Sequence, residues 1–191
     1  MKRKAIILAS LLLSAAYAAQ AQYAYKPFRI DAGAGLSFPL TTFGIGGLLS
    51  VEPQYSMGPF AVGVRVEYHA GGYETENFLS ITKVNNAMLL TGDYRFSSGT
   101  ARPFVGLGLG SYVTGAYFYS GDYNDEETIA SAYRFFGPQA GAMLRAGFDL
   151  PHFRFALQCH LTGSRMHEDV KVNFSYMALT VAVGIGGGKF D

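Results

Sequence analysis

The stretch FAVGVRVEYH, residues 60–69, alternates without a break between two kinds of side chain. One set is large and apolar or aromatic: Phe60, Val62, Val64, Val66 and Tyr68. The other set is small, polar or charged: Ala61, Gly63, Arg65, Glu67 and His69. Successive side chains of a β-strand point to opposite faces. The stretch therefore predicts a strand with one apolar face and one polar face.

Seven further segments extend this pattern along the chain. Three of them alternate as cleanly as the first, at Phe28–Phe38, Gln139–Leu150 and Phe153–Thr162. Four are less regular, at Phe43–Tyr55, Val84–Phe96, Phe104–Tyr119 and Phe174–Phe190. Together they predict an all-β chain of eight antiparallel strands.

The first residues have the three zones of a secretory signal peptide. Basic Lys2, Arg3 and Lys4 precede an apolar run from Ala5 to Leu13, and small residues continue to Ala21. The apolar run is too short to cross roughly 30 Å of hydrocarbon as a helix. We therefore expect a cleaved signal at residues 1–21 and a single β-barrel domain at residues 22–191.

The composition favours a membrane barrel over a soluble domain. Hydrophobic residues make up 49% of the chain and charged residues only 15%, whereas soluble domains carry about 25% charge. After the signal no apolar run approaches the roughly 18 residues of a membrane helix. The net charge of +1 argues against a nucleic-acid partner. Cys159 is the single cysteine, so no internal disulfide can form.

The connections between the predicted strands fall into two groups, as in outer-membrane barrels. Short turns are predicted on the periplasmic side, at Ser56–Pro59, Ser97–Pro103 and Pro151–His152. The outside loops are predicted at Pro39–Thr42, Ala70–Lys83, Ala116–Arg134 and Gly163–Asn173. The sequence therefore predicts an up-and-down transmembrane β-barrel in the cell outer membrane, with its apolar side chains facing lipid.

Aromatic residues near the strand ends predict a girdle at each membrane interface. The inner girdle would contain Tyr55, Phe60, Tyr94, Phe96, Phe148 and Phe153. The outer girdle would contain Tyr68, Tyr112, Tyr117, Phe135 and Phe174.

The inward faces of the predicted strands carry equal numbers of basic and acidic residues. The basic residues are Arg29, Arg65, Arg95, Arg145 and Arg154, and the acidic residues are Asp31, Glu52, Glu67, Asp93 and Asp149. An unpaired buried charge costs several kcal/mol, so the matched numbers predict a mutually neutralising network rather than a filter of one sign. Most of these residues fall in the periplasmic half, where we expect a polar plug.

With its eight alternating segments, the glycine-rich PFVGLGLG at Pro103–Gly110 and a terminal strand at Leu179–Phe190, the chain resembles the OmpA/OmpX-type outer-membrane β-barrel superfamily. The resemblance implies a small eight-stranded, porin-like barrel without the peptidoglycan-binding domain of OmpA. It also implies insertion by the barrel-assembly machinery, which recognises a C-terminal aromatic residue; here Phe190 is followed by Asp191. Such patterns identify architecture rather than activity.

No motif predicts a catalytic site, a metal or a cofactor. Ser164 and His167 are close in sequence, but loop residues of this kind are typically solvated. His69 and His160 fit a hydrogen-bond network in the lumen. The acidic run Asp122–Glu127 lacks the spacing of a calcium loop, although it could join a cation bridge to lipopolysaccharide phosphates. Gly184–Lys189 is followed by Phe190 instead of the Ser or Thr of a phosphate loop.

Three functional hypotheses follow from these observations. The leading one is a non-enzymatic barrel that supports the envelope, contacts lipid and lipopolysaccharide, and binds an unidentified surface partner through its loops. The alternatives are a narrow conduit for ions or small solutes and an enzyme that modifies lipid A. A soluble, lipocalin-like barrel would require the opposite arrangement, with the large aromatic side chains facing inward.

Overall fold

The computed structural model describes residues 26–41, 43–74, 80–96, 100–120, 130–167 and 170–188. The predicted signal peptide and the last three residues lie outside these ranges. The strands are β1 Lys26–Pro39, β2 Gly44–Met57, β3 Phe60–Glu74, β4 Ser80–Arg95, β5 Arg102–Ser120, β6 Ala130–Asp149, β7 Phe153–Leu161, β8 Ser164–His167, β9 Val170–Asn173 and β10 Tyr176–Gly188.

Eight of these strands close into a barrel. Their order around the wall is β1-β10-β7-β6-β5-β4-β3-β2, and every neighbouring pair is antiparallel. The remaining two, β8 and β9, form a separate hairpin between β7 and β10. The predicted all-β, eight-stranded antiparallel barrel is therefore confirmed. No helix in the described ranges is long and apolar enough to cross a bilayer.

The two ends of the barrel differ in their connections. The end that carries the β2–β3, β4–β5 and β6–β7 connections, together with Lys26 and Gly188, is called the turn end below. The opposite end, which carries the β1–β2, β3–β4 and β5–β6 connections and the β8–β9 hairpin, is called the loop end. The turn end corresponds to the predicted periplasmic side.

Two outside loops were predicted too long, and a third contains a hairpin that was not predicted. β3 continues to Glu74 and β4 begins at Ser80, inside the predicted loop Ala70–Lys83. β5 and β6 likewise continue into the predicted loop Ala116–Arg134. The predicted loop Gly163–Asn173 contains the β8–β9 hairpin. The reason is that apolar alternation marks contact with lipid, whereas strand pairing continues beyond the lipid wherever backbone groups can bond to a neighbour.

The polarity of the wall is reversed relative to a soluble barrel. On β3, the outward residue Phe60 is 55% exposed and its neighbour Ala61 only 2%. The same contrast holds for Val66, at 56%, and the inward Glu67, at 2%. Large apolar side chains cover the outer face of every barrel strand, as expected for a surface in contact with lipid. A lipocalin-like arrangement would show the opposite burial.

A β-bulge near the loop end redirects one aromatic side chain. The register between β5 and β6 shifts between Thr114 and Gly115, so that Phe136 is the extra residue on β6. Gly137 follows with a φ of 80°, a conformation that favours glycine. The bulge places Phe136 against Ile81 and Ala116 inside the barrel mouth.

We predict that the mature protein requires an amphiphile to fold and that its migration in a detergent gel depends on heating. The unboiled barrel should stay closed and run at a different apparent mass from the boiled chain, because its eight strands close into one continuous hydrogen-bond ladder. Gel electrophoresis of boiled and unboiled samples measures this. A mature chain that folds in plain buffer and remains soluble would contradict the orientation of the wall.

Candidate functional site in the barrel interior

All ten charged residues predicted for the lumen point inward and are buried, each less than 5% exposed. The structure joins them in one connected set of ion pairs, called the charge network below. It runs from Glu67 on β3 at one extreme to Arg29 on β1 and Arg95 on β4 at the other.

Arg145 on β6 is the centre of the charge network. Its NH1 and NH2 groups donate to the two oxygens of Glu52 at 2.6 and 2.7 Å. Its Nε and NH2 groups donate to the two oxygens of Asp93 at 2.8 and 2.9 Å. Such bidentate, charge-assisted pairs are among the strongest hydrogen bonds in proteins. One guanidinium therefore holds β2 and β4 in fixed positions relative to β6.

Arg154 organises the network near the turn end. It donates to Asp149 through Nε at 2.6 Å and through NH2 at 3.0 Å. Its NH1 group lies 3.0 Å from Asp93, which links this part to Arg145. The guanidinium also lies over the ring of Phe104, 4.4 Å from its centroid, where a cation is attracted by the ring face. Arg95 completes the group by donating to Asp149 at 2.8 Å.

Glycine on the inner wall gives these long side chains room. A Cβ added to Gly106 on β5 would overlap the Asp93 carboxylate. A Cβ added to Gly184 on β10 would run into the Arg29 guanidinium. These two residues explain part of the glycine content of β5 and β10, because a larger residue would displace a member of the charge network.

A stack of three rings lies next to the charge network, toward the loop end. The Tyr176 ring lies between His69, at 4.0 Å between centroids, and His160, at 4.3 Å, with both pairs nearly parallel. The Tyr176 hydroxyl donates to Glu67, which connects the stack to the charge network. The Tyr112 hydroxyl lies 3.0 Å from His160 Nδ1. His69 and His160 thus lie in an internal hydrogen-bond network.

The barrel mouth at the loop end is closed by apolar side chains. Phe174, in the segment between β9 and β10, is 1% exposed and lies 5.4 Å from the Phe136 ring. Val172, two residues earlier in the sequence, is also fully buried. Lys83 Nζ donates to the Asn173 carbonyl, which fastens this segment to β4.

Two aromatic residues therefore contradict the predicted outer girdle. Tyr112 is fully buried in the lumen and Phe174 fills the mouth, whereas Tyr68, Tyr117 and Phe135 are exposed as predicted. Tyr112 has the parity of an inward residue on β5, opposite Ala87 and beside Thr114. That parity was the sequence signal for an inward position, but the many glycines of β5 made the alternation of the strand harder to recognise. Tyr176 was not predicted as a lumen residue.

The remaining chemical candidates do not form a site in the described residues. Ser164 is exposed on β8, and the side chain of His167 lies outside what the structure describes, as does the acidic run Asp122–Glu127. His69 Nε2 lies 2.8 Å from Ser37 Oγ, but both side chains are buried under the closed mouth. No cluster of three metal-ligating side chains occurs in the described ranges.

No protein-family model matches the chain, and no curated protein matches it. Among solved structures, the chain is similar to Neisserial surface protein A, with 12% identity and a TM-score of 0.56 over 86% of this chain and 99% of that one. It also matches Ail of Yersinia pestis in complex with a heparin analogue (16% identity, TM-score 0.45, 83% and 97% covered). The N-terminal barrel domain of Pseudomonas aeruginosa OprF matches at 15% identity (TM-score 0.39, 84% and 99% covered). The first similarity shows a shared fold, that of a small outer-membrane barrel.

We predict that Arg145→Met lowers the free energy of unfolding by about 3–5 kcal/mol, because Glu52 and Asp93 would be left buried without their shared partner. Urea titration of the barrel in lipid vesicles, followed by the gel shift between folded and unfolded forms, measures this. Leu107→Met on the lipid face is the matched control and should change the value by less than about 0.5 kcal/mol. Equal stability of the two variants would show that the network does not stabilise the barrel.

We also predict that Gly106→Ala and Gly92→Ala have very different effects on the free energy of unfolding, although the two glycines lie on adjacent strands. A Cβ at Gly106 meets the Asp93 carboxylate, whereas a Cβ at Gly92 meets nothing within 4 Å. Gly106→Ala should destabilise the barrel by about 1–3 kcal/mol, as overpacking does in a filled interior. The same titration compares them, and a neutral Gly106→Ala would mean that the charge network can shift to accommodate a methyl group.

Proposed function

We propose that this chain, which has the fold of a small outer-membrane barrel, is a non-enzymatic protein of the cell outer membrane. It supports the envelope through its wall and makes its specific contacts through the loop end. The observation that carries this proposal is the filled interior, in which ion pairs, stacked rings and an apolar mouth follow one another from the turn end to the loop end.

The filled interior argues against a conduit for ions or solutes. An eight-stranded barrel is just wide enough to be filled by its own side chains. Five arginines and five carboxylates neutralise one another there, so no ring of a single charge remains to attract an ion. Opening a path would require breaking several buried ion pairs at once, each of which is costly to break.

The filled interior also argues against internal catalysis. Ser37 and His69 have the hydrogen bond of a nucleophile and its base, but a substrate would have to displace the stacked rings and the Phe174 segment to reach them. A lipid A-modifying enzyme would instead need reactive groups on the outer surface. Ser164 on β8 is one exposed hydroxyl among the described residues.

The loop end is the part of the molecule suited to specific contacts. Cross-barrel ion pairs make the wall rigid, and binding groups are commonly carried on connections that a rigid scaffold holds in place. β6 has 20 residues and β7 has 9, so one side of the wall rises well above the other. At the lower side, Phe43 in the β1–β2 connection is 99% exposed, which suits insertion among membrane lipids. We propose that lipopolysaccharide surrounds the rising wall and that the barrel-assembly machinery inserts the chain.

We predict that the refolded protein shows no steady single-channel conductance in a planar bilayer, because the charge network and the closed mouth leave no continuous aqueous path. A general porin inserted under the same conditions is the positive control. Stable, unitary current steps from the wild-type protein would favour the conduit instead.

A second experiment tests the proposal that the protein is not an enzyme. Mass spectrometry compares lipid A from cells with and without the protein. We expect identical lipid A in both. A modification that disappears on deletion and is restored by the wild type, but not by His167→Ala, would identify an enzyme.

A further inference from the structure

The segment that closes the barrel mouth is held from the side by two residues of β4. The segment consists of residues 173–175 and is called the mouth segment below. Lys83 Nζ donates to the Asn173 carbonyl, and Asn85 Nδ2 donates to the Phe174 carbonyl at 3.4 Å. The backbone of the segment also bonds to residues next to the ends of β1 and β7. The position of the mouth segment therefore depends on polar groups of the lumen as well as on the packing of Phe174.

Asn85 connects the mouth segment to a titratable group. Its Nδ2 group also lies 3.4 Å from His69 Nδ1, so one amide nitrogen bridges an imidazole and a backbone carbonyl. The other imidazole nitrogen, Nε2, lies 2.8 Å from Ser37 Oγ. All of these contacts are hydrogen bonds when His69 is neutral, with Nε2–H donating to Ser37 and Nδ1 accepting from Asn85. The closed mouth therefore requires the neutral imidazole.

Protonation of His69 at Nδ1 is incompatible with this arrangement. Both nitrogens of an imidazolium are donors, so Nδ1–H would point at the Nδ2 donor of Asn85. The amide can turn to present its Oδ1 atom, which forms no other hydrogen bond. The same turn places an oxygen opposite the Phe174 carbonyl, and two acceptors repel each other. Protonation of His69 therefore removes the hydrogen bond from Asn85 to the mouth segment.

The groups that face His69 come from six strands of the wall. They are Ser37 on β1, Leu48 on β2, Glu67 on β3, Lys83 and Asn85 on β4, His160 on β7 and Tyr176 on β10. Glu67 is the carboxylate among them, and it already pairs with Arg65 at 2.6 Å and accepts from the Tyr176 hydroxyl. A protonated His69 would share this carboxylate with Arg65 and would face the positive charge of Lys83. A buried charge that is poorly neutralised is costly, so acid destabilises the closed arrangement.

We propose that His69 and Asn85 form a pH-sensitive latch of the barrel mouth, in which protonation of His69 turns the Asn85 amide and releases the mouth segment. The closed mouth is present at neutral pH and is lost as the pH falls, because only the open form can take up the proton without losing the Phe174 bond. The charge network lies on the other side of the ring stack and is unaffected, so the lumen stays filled after the mouth opens. This inference goes beyond the proposed function, since it adds a response of the loop end to acid.

His160 provides a matched control, because it lies on the other side of Tyr176 and has different partners. Its Nδ1 lies 3.0 Å from the Tyr112 hydroxyl, and its Nε2 lies 3.2 Å from Gln158 Oε1. A hydroxyl can accept as well as donate, so Tyr112 accommodates either protonation state of the imidazole. None of these contacts involves the mouth segment. Titration of His160 should therefore leave the mouth closed.

Hydrogen–deuterium exchange of the full mature barrel, refolded in detergent micelles, tests the latch. In the closed mouth the Phe174 amide donates to the Gly163 carbonyl at 3.0 Å, and the Ser175 amide donates to Asn173 Oδ1 at 2.9 Å. Their protection factors are corrected for the pH dependence of chemical exchange. In the wild type they should fall at least about tenfold between about pH 7.5 and about pH 4.5. The amides of residues 60–66 in the wall should keep their protection.

Three variants assign the effect to the latch. His69→Gln retains a donor and an acceptor but cannot titrate, so its mouth segment should be equally protected at both pH values. Asn85→Leu has no donor for the Phe174 carbonyl and should show the low protection of the acid form at both pH values. His160→Gln makes the same substitution on the other side of Tyr176 and should keep the acid response. The gel shift between boiled and unboiled samples shows that each variant is folded.

Four outcomes would overturn this inference: wild-type protection of the mouth segment that does not change with pH, an acid response that persists in His69→Gln, an acid response that is lost in His160→Gln, or a loss of protection throughout the wall. If His69→Gln does not fold, an acid response in Asn85→Leu contradicts the latch equally well. None of these outcomes affects the conductance and lipid A results, so the latch can fail while the proposed function stands. Conversely, unitary conductance at neutral pH would contradict the proposed function whether or not the mouth responds to acid.

Discussion

Charge neutralisation inside a narrow cylinder is the constraint on which the rest of this structure depends. The ten ionised side chains of the charge network point into a barrel that has little room for water, and a buried charge without a partner is costly. The solution is a connected set in which Arg145 bridges Glu52 and Asp93 through four short hydrogen bonds, while Arg65 pairs with Glu52 and Arg154 with Asp93. This network also requires small residues such as Gly106 on the inner wall, because the wall has to leave space for the long charged side chains.

The same constraint separates the molecule into a part that holds its shape and a part that can meet other molecules. Ion pairs that cross from β2 and β4 to β6 fix the wall, and the ring stack and Phe174 close it above. The exposed features then lie at the loop end, where β6 rises beyond β7 and the aromatic side chains of Tyr133 and Phe135 are open. The interior thus acts as a scaffold, and contacts with other molecules are made by the part of the wall that extends beyond β7.

Much of the fold could be predicted because a lipid-facing strand has a two-residue period. Residues 60–69 and 153–161 were assigned to the correct faces from that period alone. The ends of β5 and β6 could not be predicted, because the two-residue period of apolar side chains stops where the lipid stops, while backbone pairing continues. Tyr112 and Phe174 were misassigned for a related reason: an aromatic residue near a strand end fits a membrane interface as well as it fits a closed lumen. The two locations are distinguished only by the parity of the residue within its strand or by its place in a connection.

The sequence by itself determined that the ten residues of the charge network face inward and that their charges balance, since both depend only on residue type and on position within a strand. It could not determine which arginine meets which carboxylate. Arg145 and Glu52 are 93 positions apart and lie on strands that are not neighbours in the wall. They meet because closure of the barrel brings opposite walls within the reach of two side chains. Such contacts across the lumen depend on the order, tilt and stagger of all eight strands together, and only the tertiary structure contains that information.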